Sequence, residues 1–177
     1  IPETLPVTPE EQTKIETLKL NPNANYLVTG GMSGFGLQTA KWLVDKGAKH
    51  LTLLGRKGLV SETAINSVET LRKAGVIVHT PACDIGDKQQ VEEVFKVLSE
   101  TAPPLKGIIH AAAIFEDGLL RNLTTERMES VLSAKALGAW NIHEVLEDHD
   151  LNFFVMYSSA TTLFGNPGQG NYVAANY

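Results

Sequence analysis

The chain closes on "GQGNYVAANY", where Tyr172 stands four residues before Asn176. A tyrosine can give up its proton more readily with a cation in reach, and position 176, one helical turn on, is where its own helix could supply one. Residues four apart share a helix face, and a cation beside a phenol draws its pKa down from about 10. This chain has an asparagine instead. A second stretch with chemical capacity is "TGGMSGFG", residues 29–36, with glycine at 30, 31, 34 and 36. Glycine permits a tight turn and lets a pyrophosphate come up against the backbone, and a helix starting there offers free N–H groups to the anion. Three further stretches carry useful side chains: "LLGRKG", with Arg56 and Lys57 and no carboxylate; "ACDIGD", with Asp84 and Ile85; and "YSSA", with Ser158 and Ser159.

The elements that must hold these groups are legible from periodicity. "NYLVTG" is a short apolar strand running into glycine, and the domain is taken to begin at Tyr26. "GFGLQTAKWLVDKGA" is an amphipathic helix with Leu37, Ala40, Leu43 and Val44 as its apolar stripe and Gly47 as a stop. "HLTLLGR" is a second strand, and Ser61 caps a helix that ends at Gly75. "VIVHTPACD" is a third strand, followed by a helix starting near Asp87; "LKGIIHAAA" is a fourth strand. "TTERMESVLSAKALGAWNIHEVLED" is one long helix, "LNFFVMYSSA" a fifth strand, and "GNYVAANY" opens another helix. Strands alternating with helices predict a doubly wound α/β fold, a Rossmann-like parallel sheet covered on both faces. Ligands of such sheets sit at the carboxyl ends of the strands. The glycine string, "LLGRKG", "ACDIGD", "IIHAAAI" and "YSSA" all fall there. In that strand–turn–helix setting a glycine string is a strong signal for a phosphate site; alone it would mark no more than a tight turn.

Composition narrows the function classes. The 177 residues suffice for one domain with a core, and 43% hydrophobic residues exclude a disordered chain. A formal net charge of −5 gives no global basic field for nucleic acid. No run is long enough to span a membrane. The five histidines are scattered and Cys83 is the only cysteine, so neither a disulfide framework nor a thiolate metal site is expected. Cys83, within "VIVHTPACDI", reads as a buried, inert thiol. These features fit a cytoplasmic protein. Residues 1–25, with the Pro- and Glu-rich "IPETLPVTPEEQ" and the turn cluster "LNPNAN", read as an interdomain lead-in in which "PEEQTKIETLKL" could form a short helix. Ile1 opens no recognisable signal peptide, as expected of a chain cut from something longer.

The spacing Thr29-Gly30-x-x-x-Gly34-x-Gly36 resembles the short-chain dehydrogenase/reductase family, which binds a nicotinamide cofactor. The resemblance implies a cofactor site made by Thr29, Gly30, Gly31, Ser33, Gly34, Phe35 and Gly36. An arginine at the end of strand two accepts a 2′-phosphate where an acid would hold ribose hydroxyls, so Arg56 and Lys57 imply NADPH. Asp84, with Ile85, matches the family's adenine contact, although a plain loop or N-cap aspartate is an equal reading. His110-Ala111-Ala112 is a variant of the family's Asn-Ala-Gly-like stretch under the cofactor, with His110 structural rather than a proton donor.

The family's chemistry uses a serine that holds the carbonyl oxygen, a tyrosine that protonates it, a lysine that lowers the tyrosine pKa and an asparagine that holds a proton path. Tyr172 follows Ser159 by 13 residues, as the family tyrosine should. Where ordinary members carry the asparagine, in the long helix, this chain has Lys135; where they carry the lysine, it has Asn176. That exchange marks one branch. Over residues 25–177 the chain resembles the ketoreductase domain of modular polyketide synthases and animal-type fatty acid synthases, through "YLVTGGMSGFGLQTAKWLVDKGAKHLTLLGRKG", "GIIHAAAIFEDGLL", "SAKALGAWNIH" and "FVMYSSATTLFGNPGQGNYVAAN". By resemblance Lys135, Ser159, Tyr172 and Asn176 carry catalysis, with Ser158 as the fallback serine. The implied reaction is reduction of a β-ketoacyl thioester by NADPH, the substrate arriving on the phosphopantetheine arm of an acyl carrier protein, amid neighbouring synthase domains.

In this branch one face of attack goes with a Leu-Asp-Asp-like loop after strand four, the other with a tryptophan eight residues before the tyrosine. The loop here reads "FED", keeping only Asp117 of that motif, and position 164 is Phe164. Pro167 and Asn171 also match the aspartate-bearing class, so the D-configured (3R) alcohol is expected. A family domain would continue beyond Tyr177 through more of the sheet and a substrate lid, and a structural half-domain would precede it. A free-standing reductase is disfavoured by the Lys135/Asn176 exchange. A degenerate, non-catalytic scaffold is disfavoured by the intact glycine string and tyrosine.

Overall fold

The computed structural model describes residues 18–146 and 150–177. Five strands form one parallel sheet: β1 (Asn25–Thr29), β2 (His50–Leu54), β3 (Ile77–His79), β4 (Leu105–His110) and β5 (Phe153–Met156), in the order β3-β2-β1-β4-β5. Successive strand residues point to opposite faces, which splits the core in two. Tyr26, Val28, Leu51, Leu53 and Ile109 pack on one side with Ala40 and Leu43 of α1 (Gly34–Asp45) and Val68 of α2 (Glu62–Lys73). Leu27, Leu54 and Ile108 pack on the other with Val91 and Phe95 of α3 (Lys88–Thr101) and Ile142 of the long helix. The buried Asn25 amide and Thr52 hydroxyl on this second face satisfy one another at 3.0 Å.

Local chemistry sets the helix ends. Ser61 accepts the Ala64 N–H, and Asp87 accepts from Gln89 and Gln90, so both expected caps form. After α1, Gly47 takes φ 108 and turns the chain into β2. On α1 the apolar stripe holds, with Val44 only partly buried and Thr39 joining the buried face.

Four elements differ from the sequence expectation. β3 ends at His79, and the chain rejoins the sheet through a single bridge from Ala82 to Gly55. Pro81 has no N–H to give to a ladder. β5 is likewise short, stopping at Met156. The long helix is broken into α4 (Thr125–Leu132), a π turn (Ser133–Leu137) and α5 (Gly138–Val145). A single-turn helix, α6 (Thr161–Phe164), precedes α7 (Gly170–Asn176). The short helix expected within "PEEQTKIETLKL" falls almost wholly outside the described residues, as does the end of the long helix at 147–148.

Candidate active site

Two clefts lie side by side at the carboxyl ends of the strands, both reaching Gly30 and Ala113. The smaller, about 110 Å³, is lined by Leu54, Arg56, Asp84, Ile85 and Ala112 among others. The larger, about 490 Å³, runs from the glycine loop to Lys135, Ser158, Ser159 and Tyr172.

The glycine loop is built for close approach. Gly30 and Gly34 take φ 65 and 48, in the left-handed region. A Cβ on Gly36 would collide with the carbonyl of Gly30, and one on Gly31 would lie 2.8 Å from the Val28 oxygen. α1 therefore starts hard against β1, and its Ser33 cap makes no side-chain bond to the first turn, leaving those N–H groups without a side-chain cap. Ser33, Gly34 and Phe35 are exposed. Thr29 closes the loop from beneath: its Oγ1 accepts the Ala112 N–H at 3.1 Å.

At the other end of the trough, Asp84 Oδ1 accepts the Gly86 N–H at 3.0 Å, and the Ile85 carbonyl accepts from the buried Asn141 at 2.8 Å. Arg56 lines the smaller cleft; Lys57 is exposed and lines neither of the two. Cys83 is buried, and desolvation, aided by Asp84 and Asp87, pushes its thiol up to about 11, which keeps it protonated and inert.

Lys135 sits inside the π turn and is only 6% exposed. Its ammonium donates to the Tyr157 carbonyl at 2.6 Å, and burial lowers its pKa. Tyr172 packs on Phe115 with ring centroids 4.8 Å apart. Ser158 donates to the Asn176 carbonyl at 2.8 Å, which commits its proton. Ser159 Oγ accepts from the Thr161 amide and hydroxyl, and its own proton has no protein acceptor among the described residues. Asn176 Nδ2 donates to the Tyr172 carbonyl at 2.8 Å, while its Oδ1 is buried with no partner.

The loop after β4 is strapped to α7. Gln169 donates to Asp117 Oδ2 at 2.8 Å, Asn171 to the Glu116 carbonyl at 2.8 Å, and Gly118 N–H to the Gly168 carbonyl at 2.7 Å. Arg127 braces the same loop through the Glu116 and Asp117 carbonyls. Phe164 and Pro167 are exposed and line neither cleft.

The fold thus gathers Lys135, Ser158, Ser159 and Tyr172 into one cleft with the glycine loop, and leaves Asn176, Asp117, Asn171, Lys57, Phe164 and Pro167 outside the lining of either cleft. The sequence reading passed over Tyr157, Gln169, Arg127, Thr39 and Asn141. Tyr157 lay within the quoted "YSSA", but the part that works is its carbonyl, which no residue type announces; its hydroxyl bonds Thr39 Oγ1 at 2.6 Å.

A parallel Rossmann-like sheet with a glycine loop after its first strand, and a serine, tyrosine and lysine converging beyond its last, defines a domain of the short-chain dehydrogenase/reductase type. Within that type the chain belongs to the KR-domain family, whose model matches residues 24–177. It is 41% identical over 155 residues to the reducing polyketide synthase PKS1 of Cochliobolus heterostrophus, covering 88% of this chain and 6% of that protein. It is 42% identical over 155 residues to the phenolphthiocerol synthesis polyketide synthase type I Pks15/1 of Mycobacterium marinum, covering 87% of this chain and 7% of that one. The chain therefore spans a small fraction of the relatives it matches. Among solved structures it resembles an N-terminal ketoreductase from the macrolactin assembly line (TM-score 0.84, 30% identity, 91% of this chain and 33% of that one). It also resembles an A-type ketoreductase from a modular polyketide synthase (TM-score 0.82, 34% identity, 98% and 35%). Among the described residues no helix is long and apolar enough to cross a membrane, and no cluster of histidine, cysteine or carboxylate side chains could hold a metal ion.

Proposed function

We propose that this domain reduces a β-ketoacyl thioester, carried on the phosphopantetheine arm of an acyl carrier protein, to the β-hydroxyacyl thioester with NADPH. The observation that carries the reading is the position of Lys135. From the long helix it reaches the carboxyl end of β5 and lines the cleft that holds Tyr172 and Ser159, while Asn176 occupies the tyrosine helix one turn on.

The residues fit the cofactor. The glycine cradle leaves no room for a Cβ at 31 or 36, and unbonded N–H groups of α1 suit a pyrophosphate. Arg56 at the smaller cleft suits a 2′-phosphate, and Asp84 and Ile85 edge the place for the adenine. NADPH, when bound, supplies the hydride to the carbonyl carbon. Ser159 donates its uncommitted hydroxyl proton in a hydrogen bond to the carbonyl oxygen, and Tyr172 transfers its phenolic proton to that oxygen. The Lys135 ammonium favours the tyrosinate that remains. Asn176 Oδ1, an unpartnered buried acceptor, is suited to hold a water that returns the proton.

Asp117 on its strapped loop, Asn171 beneath it, Pro167 and the absence of a tryptophan at Phe164 support delivery of the D (3R) alcohol. Neighbouring synthase domains would bring the carrier to this face, in the cytoplasm. The test is loss of NADPH absorbance with a β-ketoacyl thioester in the full-length protein, beside NADH and beside Tyr172→Phe. Oxidation that disappears in the variant supports the reading; a protein that does not bind NADPH overturns it.

A further inference from the structure

Lys135 is held at both ends by one closed hydrogen-bond circuit. Its ammonium donates to the Tyr157 carbonyl at 2.6 Å. The Tyr157 N–H donates to the His110 carbonyl at 3.0 Å, as β5 leaves the sheet beside β4. The His110 ring closes the loop, its Nε2 lying 3.0 Å from the Lys135 carbonyl. A carbonyl only accepts, so Nε2 carries the proton. Nδ1 then faces Thr29 Oγ1 at 2.8 Å, and Thr29 is free to donate to it because its oxygen already accepts the Ala112 N–H. Every polar atom of a side chain that is 2% exposed is thereby used, and burial keeps the imidazole neutral, its pKa pushed down to about 4.

The place where His110 reaches the long helix is the π turn, Ser133–Leu137, with Lys135 at its centre. A side chain entering a helix ladder is a recognised cause of a kink, and single π turns concentrate at functional sites. The turn is also tightly seated on its other side. A Cβ on Gly138 would come within 2.7 Å of Ile85, and one on Gly86 would collide with Ser133. An unbroken α-helix through 133–137 would rotate the following residues relative to the preceding ones and carry Lys135 away from Tyr157.

We infer that His110 is a positioning residue for Lys135: through the Lys135 carbonyl it holds the π turn, and through Thr29 it locks that turn to the base of the glycine loop. His110 lines neither cleft, so it acts only through the two residues it holds, Lys135 and Thr29. The inference rests on the ketoreductase reading for its kinetic consequence and on the fold alone for its structural one.

Two substitutions divide the two ends of the ring. In His110→Asn the amide reaches about as far as Nδ1, so the Thr29 contact can persist while the bond to Lys135 is lost. In His110→Gln the amide reaches about as far as Nε2 and can still donate to the Lys135 carbonyl. In the full-length protein, H110N is expected to lower kcat by about a hundredfold, the scale of a 1 Å misplacement, with little change in KM for the cofactor. H110Q should recover most of the lost kcat. A crystal structure of H110N should show the π turn relaxed and Lys135 off Tyr157. If H110N keeps the wild-type kcat, or if its crystal structure retains the π turn and the Lys135–Tyr157 bond, the inference is overturned. Should the wild-type protein fail to reduce any β-ketoacyl thioester, the functional reading fails, and the crystal structure of H110N decides the positioning role by itself.

Discussion

Lys135 and Tyr157 meet at 2.6 Å, ammonium to backbone carbonyl, across the gap between the long helix and the end of β5. On the proposed mechanism, a cation for Tyr172 can come from the tyrosine's own helix, one turn on, or from the neighbouring helix. Lys135 stands in the neighbouring helix, within the π turn. Most of the Lys135 side chain is buried, so its charge acts in a medium that screens it weakly.

Tyr172→Phe removes one of the two phenols that line the larger cleft among the described residues. It is expected to lower kcat for β-ketoacyl reduction by about a thousandfold, with NADPH affinity measured by fluorescence titration unchanged. Lys135→Ala should cost about a hundredfold by the same principle and also weaken cofactor binding. Equal activity of Y172F and wild type would remove Tyr172 from the chemistry.

Much of this arrangement is legible in the sequence, and the remainder fails to be for physical reasons. The strands announce themselves as apolar runs, the first two running into glycine, and the caps at Ser61 and Asp87 sit where side-chain oxygens precede helical patterns. The exchange of Lys135 and Asn176 needs only spacing and a known branch. The π turn is different. Nothing in "SAKAL" distinguishes it from a continuing α-helix, because its partner is His110, 25 residues earlier. The strap has the same character, since Asp117 and Gln169 are 52 residues apart. The choice between Ser158 and Ser159 turns on which hydroxyl proton is already committed, a property of the folded neighbourhood alone.

Arg56→Ala tests the cofactor preference. The guanidinium lines the smaller cleft with Asp84, and among the described residues no carboxylate pairs with it. A paired phosphate contact is charge-assisted and worth about 1.5–3 kcal/mol. KM for NADPH should therefore rise about tenfold or more while KM for NADH moves little. A uniform change for both cofactors would mean that Arg56 does not read the 2′-phosphate.

Gln169→Ala cuts the side-chain link between α7 and Asp117 while leaving the Gly118–Gly168 and Asn171–Glu116 bonds in place. Loss of one of three bonds should loosen the loop without unfolding it, at a cost near 1 kcal/mol. Chiral chromatography of the β-hydroxy product is expected to show the D (3R) alcohol from the wild type and an eroded ratio from Q169A. Mostly L alcohol from the wild type would sink the stereochemical assignment. An unchanged ratio in Q169A would mean that the loop's position does not depend on this strap.

His110 also predicts how the domain responds to acid. Its pKa is lowered from the usual 6.5 to about 4, chiefly by burial. In the unfolded chain the imidazole protonates near its ordinary value, so below pH 6.5 the unfolded state binds the proton that the folded state refuses. Linkage then makes stability fall as pH drops from about 6.5 to 4 and level off, as far as this group is concerned, once the folded state is protonated too. Those two values set an upper bound of roughly 3 kcal/mol on the loss. His110→Gln has no such proton to take up and can keep the Lys135 bond. Thermal unfolding of the wild type should therefore weaken more steeply than that of H110Q between pH 6.5 and 4, with the two curves converging toward the acid end. Parallel curves would show that the ring is solvated in the folded state, and that the circuit through Thr29 and Lys135 is not closed.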